Sequence, residues 1–239
     1  MRQRYAERHE NLGAFAQVMR QQHIPFDYLA TAAGERLQRP LSDYSHVVIL
    51  GGCMGAYETE KHPFLNYDRQ LIETALDQDI PLVGVCLGAQ LLAQVLGSRV
   101  YPGTAGSEVG WHQVELTAAA AEDPLFAGLP TQMPAFQWHS DTFDLPTGAT
   151  RLATGDRYLN QAYRYGRKAW GIQFHLEVDG RVIHNWLHEV SQLCHYNHHQ
   201  LSHIAEATAS KVRHYNQFSH RFMAQFLGVA IHQQCSAAA

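Results

Sequence analysis

Between residues 81 and 97 the hydrophobic positions change their spacing once, in Pro81-Leu-Val-Gly-Val-Cys-Leu-Gly-Ala-Gln-Leu-Leu-Ala-Gln-Val-Leu-Gly97. Residues 81–85 form an unbroken apolar run, opened by proline and too short for a helix, which is how a strand buried on both faces reads. From Gly88 the period becomes helical, with Leu91, Leu92, Val95 and Leu96 on one stripe and Gly97 at the stop position. A second strand of the same kind is predicted at 46–50, His-Val-Val-Ile-Leu, running straight into Gly51-Gly-Cys-Met-Gly55. Between these strands, 63–78 reads as an amphipathic helix carrying Phe64, Leu65, Leu71, Ile72, Ala75 and Leu76 on one side.

The rest of the chain alternates in the same way. Leu12, Phe15, Val18 and Met19 predict a helix, 24–29 a short strand, and 35–44 a polar loop. Residues 99–101 predict a short strand, and His112, Val114 and Leu116 alternate with Trp111, Gln113 and Glu115 as on a half-buried strand. Two further strands, 160–165 and 169–174, are joined as a hairpin at Gly166-Arg-Lys168. Val182, Ile183, Trp186, Leu187, Val190 and Leu193 then mark an amphipathic helix. Strand and helix in alternation predict an α/β fold with a mostly parallel sheet flanked by helices. Beyond it, Tyr215, Phe218, Phe222 and Phe226 form an aromatic stripe on another helix. Residues 1–194 therefore read as one domain, and 195–239 as a His-rich helical extension packed on that domain or on a partner, its last residues, 236–239, frayed.

Composition narrows the class. With 46% hydrophobic residues and a net charge of −4, the chain can bury a core but carries no electrostatic footprint for nucleic acid. No apolar run approaches the length of about 18 residues that spans a bilayer, and the start lacks the apolar core of a signal peptide, so a cytoplasmic location and no membrane contact are expected. Cys53, Cys86, Cys194 and Cys235 are scattered and read as reduced thiols; without a CxxC pair they predict no structural zinc. The 16 histidines make the charge sensitive to acid between about pH 5 and 7. His184 with His188, and His195 with His199 and His203, share helical faces, but no acidic or cysteine ligand accompanies them and a solvated face is the expectation; no metal and no cofactor are predicted.

The chemistry concentrates at two places. Cys86 sits at the strand-to-helix switch between Gly84 and Gly88, small residues that permit a sharp turn and close neighbours. A helix amino end offers unpaired N–H groups and partial positive charge to whatever is held there. A buried hydrophobic role is the alternative for a free cysteine. In Ala169-Trp-Gly-Ile-Gln-Phe-His-Leu-Glu-Val178, His175 and Glu177 follow a strand pattern two residues apart. Extended backbone sends both to one side, so the carboxylate can orient the imidazole while its other nitrogen faces a nucleophile.

Gly84-Val-Cys-Leu-Gly-Ala-Gln90 together with Phe174-His-Leu-Glu177 resembles the signature pair of the triad-type (class I) glutamine amidotransferases, over roughly residues 40 to 180, and is similar to the glutaminase domain of GMP synthetase. The resemblance implies a flavodoxin-like architecture and a Cys86, His175, Glu177 triad that hydrolyses the side-chain amide of glutamine through a γ-glutamyl thioester. It implies an oxyanion hole from Gly51, Gly52 and Leu87, and a glutamine pocket lined by Gln90, Ser140 and Asp141, with a turn role equally open for Asp141. Glu108 in Glu108-Val-Gly110 matches as a structural partner, His139 is set aside as base because the carboxylate two residues on does not follow a strand pattern as clean as that before His175, and Cys53 stands where the family usually has proline. Members normally open with a hydrophobic strand. Residues 1–10 are charged and polar, so that strand is absent from this numbering or poorly replaced by residues 2–5. Nothing in the chain resembles an ammonia-accepting synthetase, which leaves a separate synthetase subunit, or water, as acceptor. A γ-glutamyl peptidase with the same chemistry, and a non-catalytic glutamine-binding module, remain alternatives; a homo-oligomer is open.

Overall fold

The computed structural model describes residues 11–192 and 198–234. The polar opening 1–10, the stretch 193–197 with its Cys194 and His195, Cys235 and the terminal 236–239 lie outside the described residues, as does the boundary at 194/195.

In chain order the main elements are α1 (Gly13–Gln21), β1 (Val47–Ile49), α2 (Phe64–Asp77), β2 (Leu82–Val85), α3 (Leu87–Val95), β3 (Val100–Pro102), β4 (Glu108–Leu116), β5 (Gln132–His139), β6 (Asp141–Phe143), β7 (Thr150–Gly155), β8 (Ala162–Tyr165), β9 (Ala169–Ile172), α4 (Gly180–Gln192) and α5 (His198–Gln234). A seven-stranded sheet has the order β1-β2-β9-β8-β7-β4-β5, and β3 pairs with β6 apart from it. The α/β architecture with flanking helices is as the periodicity predicts, but the sheet is mixed. β1, β2 and β9 are parallel, and the strands from β9 through β8, β7 and β4 to β5 are antiparallel.

The unbroken apolar run before Cys86 has a direct explanation. Leu82 packs into one hydrophobic cluster with Leu65, Leu91 and Tyr163, whereas Val83 and Val85 face the other, with Phe15, Trp170 and Phe222. Both faces of β2 are covered, so neither can be polar. The second cluster also contains Leu201, Ile204 and Phe226 of α5, which makes the C-terminal helix part of the same core as α1 and the sheet.

Residues 24–29 form no strand, contrary to their alternating pattern. The sheet ends at β1, and among the described residues no further strand lies beyond it to supply a ladder. Strand β9 likewise stops at Ile172, two residues short of the predicted end, so His175 and Glu177 lie in irregular chain.

Glycine is required where α3 meets the sheet. A Cβ on Gly84 would lie 2.4 Å from the Gly88 carbonyl oxygen, and one on Gly88 would lie 2.1 Å from that of Ile49. Both contacts are to backbone, which cannot swing aside. Gly88→Ala is expected to destabilise the protein by roughly 1–3 kcal/mol, lowering the thermal midpoint by about 2–12 °C. A thermal melt indistinguishable from wild type would show that α3 can shift outward without cost.

Candidate functional site

Cys86 caps the amino end of α3 with φ 50° and ψ −107°, a left-handed backbone that a residue with a side chain rarely adopts. Two hydrogen bonds hold it there: its N–H donates to the Ile172 carbonyl at 2.7 Å, and its own carbonyl accepts from the Gln90 N–H at 3.0 Å. The turn follows from strand β2 ending against β9 while α3 begins at once. It lifts the thiol out of the strand plane, 3.9 Å from the Trp138 carbonyl. Cys86 is buried, yet lines a cavity of about 580 Å3.

His175 and Glu177 arrive at the same cavity from beyond β9. His175 Nδ1 lies 2.7 Å from Glu177 Oε1, and the His175 side chain also hydrogen-bonds that of Cys86. Both residues are buried. Burial acts to lower the imidazole pKa, but the charges and hydrogen bonds of Glu177 and Cys86 outweigh it and raise the value to about 10. The Trp186 ring of α4 meets the His175 ring edge-on, with centroids 4.8 Å apart, which closes off one side of the imidazole. A thiol, an imidazole and a carboxylate in this sequence of contacts can move a proton away from sulfur and return it to a departing group.

The glycine turn after β1 borders the pair. A Cβ on Gly51 would stand 3.0 Å from His175 Cε1 and 3.6 Å from Cys86 Cβ, so only glycine lets the turn lie this close. Gly52 and the exposed Cys53 line the cavity farther out, and Leu87 is the first residue of α3. The turn is closed by the Gly55 N–H donating to Glu58 Oε2 at 2.8 Å.

Gln90, Ser140 and Asp141 line the same cavity. Gln90 Nε2 donates to the Asp141 carbonyl at 3.3 Å and to Gln173 Oε1 at 3.2 Å, so its amide braces the pocket wall. Ser140 exchanges a hydrogen bond with Ser107 at 2.8 Å. The Asp141 carboxyl pKa is raised, first by burial and also by the nearby Glu58 charge, against the hydrogen bond from Tyr57.

The sequence pattern set His139 aside as a base, and its surroundings agree, although its carboxylate partner is a residue remote in sequence. Glu108 and His139 are register partners on β4 and β5, and Glu108 Oε2 lies 2.9 Å from His139 Nε2. The other ring nitrogen lies 2.8 Å from the Asp141 carbonyl, so both are engaged and neither is left for a reacting proton. Burial would raise the Glu108 pKa; the hydrogen bond and charge of His139, with a further bond from Gln161, lower it instead. Trp186, Trp138 and Tyr57 were also missed as cavity residues. The first reads as a core position of α4, and only the Trp-His pairing in a segment could have hinted at the second.

Among the described residues there is no group of three or more metal-ligating side chains, and no helix is long and apolar enough to cross a membrane.

Comparison with known proteins matches residues 10–189 to the family described as Glutamine amidotransferase class-I. The chain is 28% identical over 187 residues to the glutamine amidotransferase-like protein YfeJ of Salmonella typhimurium, covering 75% of this chain and 78% of that one. It is 37% identical over 102 residues to one subunit of the glutamine-hydrolysing GMP synthase of Archaeoglobus fulgidus, where the match covers 42% of this chain and 54% of that one. The GMP synthase of Porphyromonas gingivalis is matched over 23% of its length. A solved glutamine amidotransferase from Thermotoga maritima superposes with a TM-score of 0.82 at 40% identity, covering 90% of this chain and 92% of that one. One from Methylobacillus flagellatus gives 0.83 at 25% identity, over 92% and 90% of the two chains.

Proposed function

Because the chain belongs to the class-I glutamine amidotransferase family, we propose that it hydrolyses the side-chain amide of glutamine through a thioester on Cys86. The observation that carries this reading is the continuous contact from Cys86 through His175 to Glu177 at one wall of the cavity.

With its pKa near 10, His175 holds its proton at neutral pH. Cys86 sulfur attacks the side-chain carbonyl carbon of glutamine, the carbon–nitrogen bond breaks, and His175 gives its proton to the departing ammonia. Water then attacks the γ-glutamyl thioester, His175 takes the proton of that water, and glutamate leaves. Glu177 holds Nδ1 throughout. The tetrahedral oxyanion lies between the Leu87 N–H and the Gly51-Gly52 turn, an arrangement of donors that is worth several kcal/mol in enzymes that use it. Asp141 takes the α-ammonium group of glutamine, and Gln90 and Ser140 shape the wall around it. The ammonia passes to a separate synthetase protein or is released to water; the first route is supported by the name of the Archaeoglobus relative, which is one subunit of its synthase.

The cavity also favours a second substrate class. Its volume of about 580 Å3 falls in the range of about 300–1,000 Å3 that takes drug-sized ligands, enough for a γ-glutamyl amide larger than glutamine.

The deciding experiment is mass spectrometry after incubation with a glutamine analogue bearing an electrophile at the γ position. A single adduct on Cys86, suppressed by excess glutamine, is expected. An adduct on Cys53, or none, would overturn the mechanism and leave a binding module, recognisable by glutamine-induced thermal stabilisation without ammonia release. Comparing turnover of glutamine with that of glutathione then separates glutaminase from γ-glutamyl peptidase.

A further inference from the structure

His175 lies beyond the end of β9, so no strand ladder fixes its main chain. It is held from two sides instead. Its N–H donates to the Phe136 carbonyl of β5 at 2.8 Å, and its carbonyl accepts from the Tyr215 hydroxyl at 2.8 Å. Tyr215 belongs to α5, beyond residue 189 where the family match ends. The next residue repeats the contact: Asn216 Nδ2 donates to the Val178 carbonyl at 2.8 Å. Adjacent positions of one helix thus grip the short segment that presents His175 and Glu177, one tie on each side of the carboxylate.

The grip is itself anchored. Tyr215 is fully buried, and its ring meets that of Trp111 edge-on at 5.0 Å and 88°. One helical turn or two away, Thr208 accepts from Trp111 Nε1 at 2.9 Å. His220 Nε2 pairs with Gln17 Oε1 of α1 at 3.1 Å, and Gln225 donates to the Ala127 carbonyl at 3.1 Å. Burial pushes the phenol pKa well above its ordinary value, against a backbone hydrogen bond from Phe136, so the hydroxyl stays a neutral donor wherever the enzyme works. That hydroxyl therefore touches both the β5 backbone that receives the His175 N–H and the His175 carbonyl itself.

We propose that Tyr215, seconded by Asn216, is a positioning residue for the reaction: through the His175 main chain it sets the place from which the imidazole reaches both Cys86 and Glu177. This rests on the reading of His175 as the proton carrier. A ring carried on irregular backbone has no ladder to restore its height, so loss of one tether is felt at the reacting atoms.

The test is Tyr215→Phe, which keeps the buried ring and removes one oxygen. Three readouts are taken on both proteins: kcat and KM for glutamine, thermal midpoint, and the pH dependence of Cys86 alkylation by iodoacetamide between the ordinary histidine value and about 10. Expected are a fall in kcat of about 10- to 100-fold, a KM within about twofold of wild type, and a displaced alkylation profile. Wild-type kcat and alkylation profile, whatever the midpoint, would reduce Tyr215 to a structural contact. Should Tyr215→Phe not accumulate in folded form, Asn216→Ala carries the same readouts, because it leaves the buried ring in place and removes the tie to Val178; wild-type values there would overturn the grip. If the wild-type protein turns over no glutamine, the functional reading fails by itself, and the alkylation profiles still decide the role of Tyr215.

Discussion

Cys86→Ala is expected to lower ammonia release from glutamine by about 10^4-fold or more, the scale on which a lost nucleophile is felt when its partners cannot act alone. Binding should survive, because the walls formed by Gln90, Ser140 and Asp141 are untouched; glutamine is expected still to raise the thermal midpoint of the variant. A companion substitution separates chemistry from backbone. The φ of 50° at Cys86 is a strained conformation costing on the order of 1–3 kcal/mol for a residue with a side chain, and glycine adopts it freely. Cys86→Gly is therefore expected to be inactive but to melt above Cys86→Ala in a calorimetric comparison. Residual turnover in either variant within tenfold of wild type would move the nucleophile elsewhere, with Cys53 the other thiol lining the cavity.

Glu177→Gln is the second large effect, expected at about 10^2- to 10^4-fold in kcat. The amide preserves size but can donate a hydrogen bond to Nδ1, which selects the wrong tautomer of His175. It also removes the foremost of the influences that raise the imidazole pKa, leaving only the charge and hydrogen bond of Cys86 against burial. The sign for stability follows. A pKa raised from 6.5 to about 10 on folding contributes stability that is complete below 6.5 and is lost as pH rises toward 10. Wild-type protein should lose stability across that window in urea titrations, and Glu177→Gln should lose less there. The activity deficit of the variant should widen from pH 6 to pH 8, as its His175 sheds the proton needed by departing ammonia. Parallel pH dependences in the two proteins would mean that Glu177 does not govern His175.

The parts of the candidate site that were legible share one property: each is written in a few consecutive residues. The change of period at Cys86, the spacing of Gly84 and Gly88 and the two-residue step from His175 to Glu177 all express local backbone geometry. The same holds for Gly51, where a turn directly after an apolar run signals close approach. Where a local pattern needed a remote partner, it misled. Residues 24–29 alternate as a strand does, yet no neighbouring strand pairs with them among the described residues. The partner of His139 was illegible for the converse reason, since its carboxylate stands on the neighbouring strand at Glu108, set opposite by the register of β4 on β5.

The sequence by itself determined the strands at 47–49 and 82–85, the helices that flank them, the elbow at Cys86 and the adjacency of His175 and Glu177, because hydrophobic period and glycine spacing act over a few residues and need no knowledge of the rest of the chain. Only the tertiary structure decided that Glu108 satisfies His139, that Trp186 covers the His175 ring, and that Tyr215 of α5 ties down the His175 carbonyl. Those contacts depend on strand register and on how helices settle against a mixed sheet, which many distant side chains fix together through a shared core.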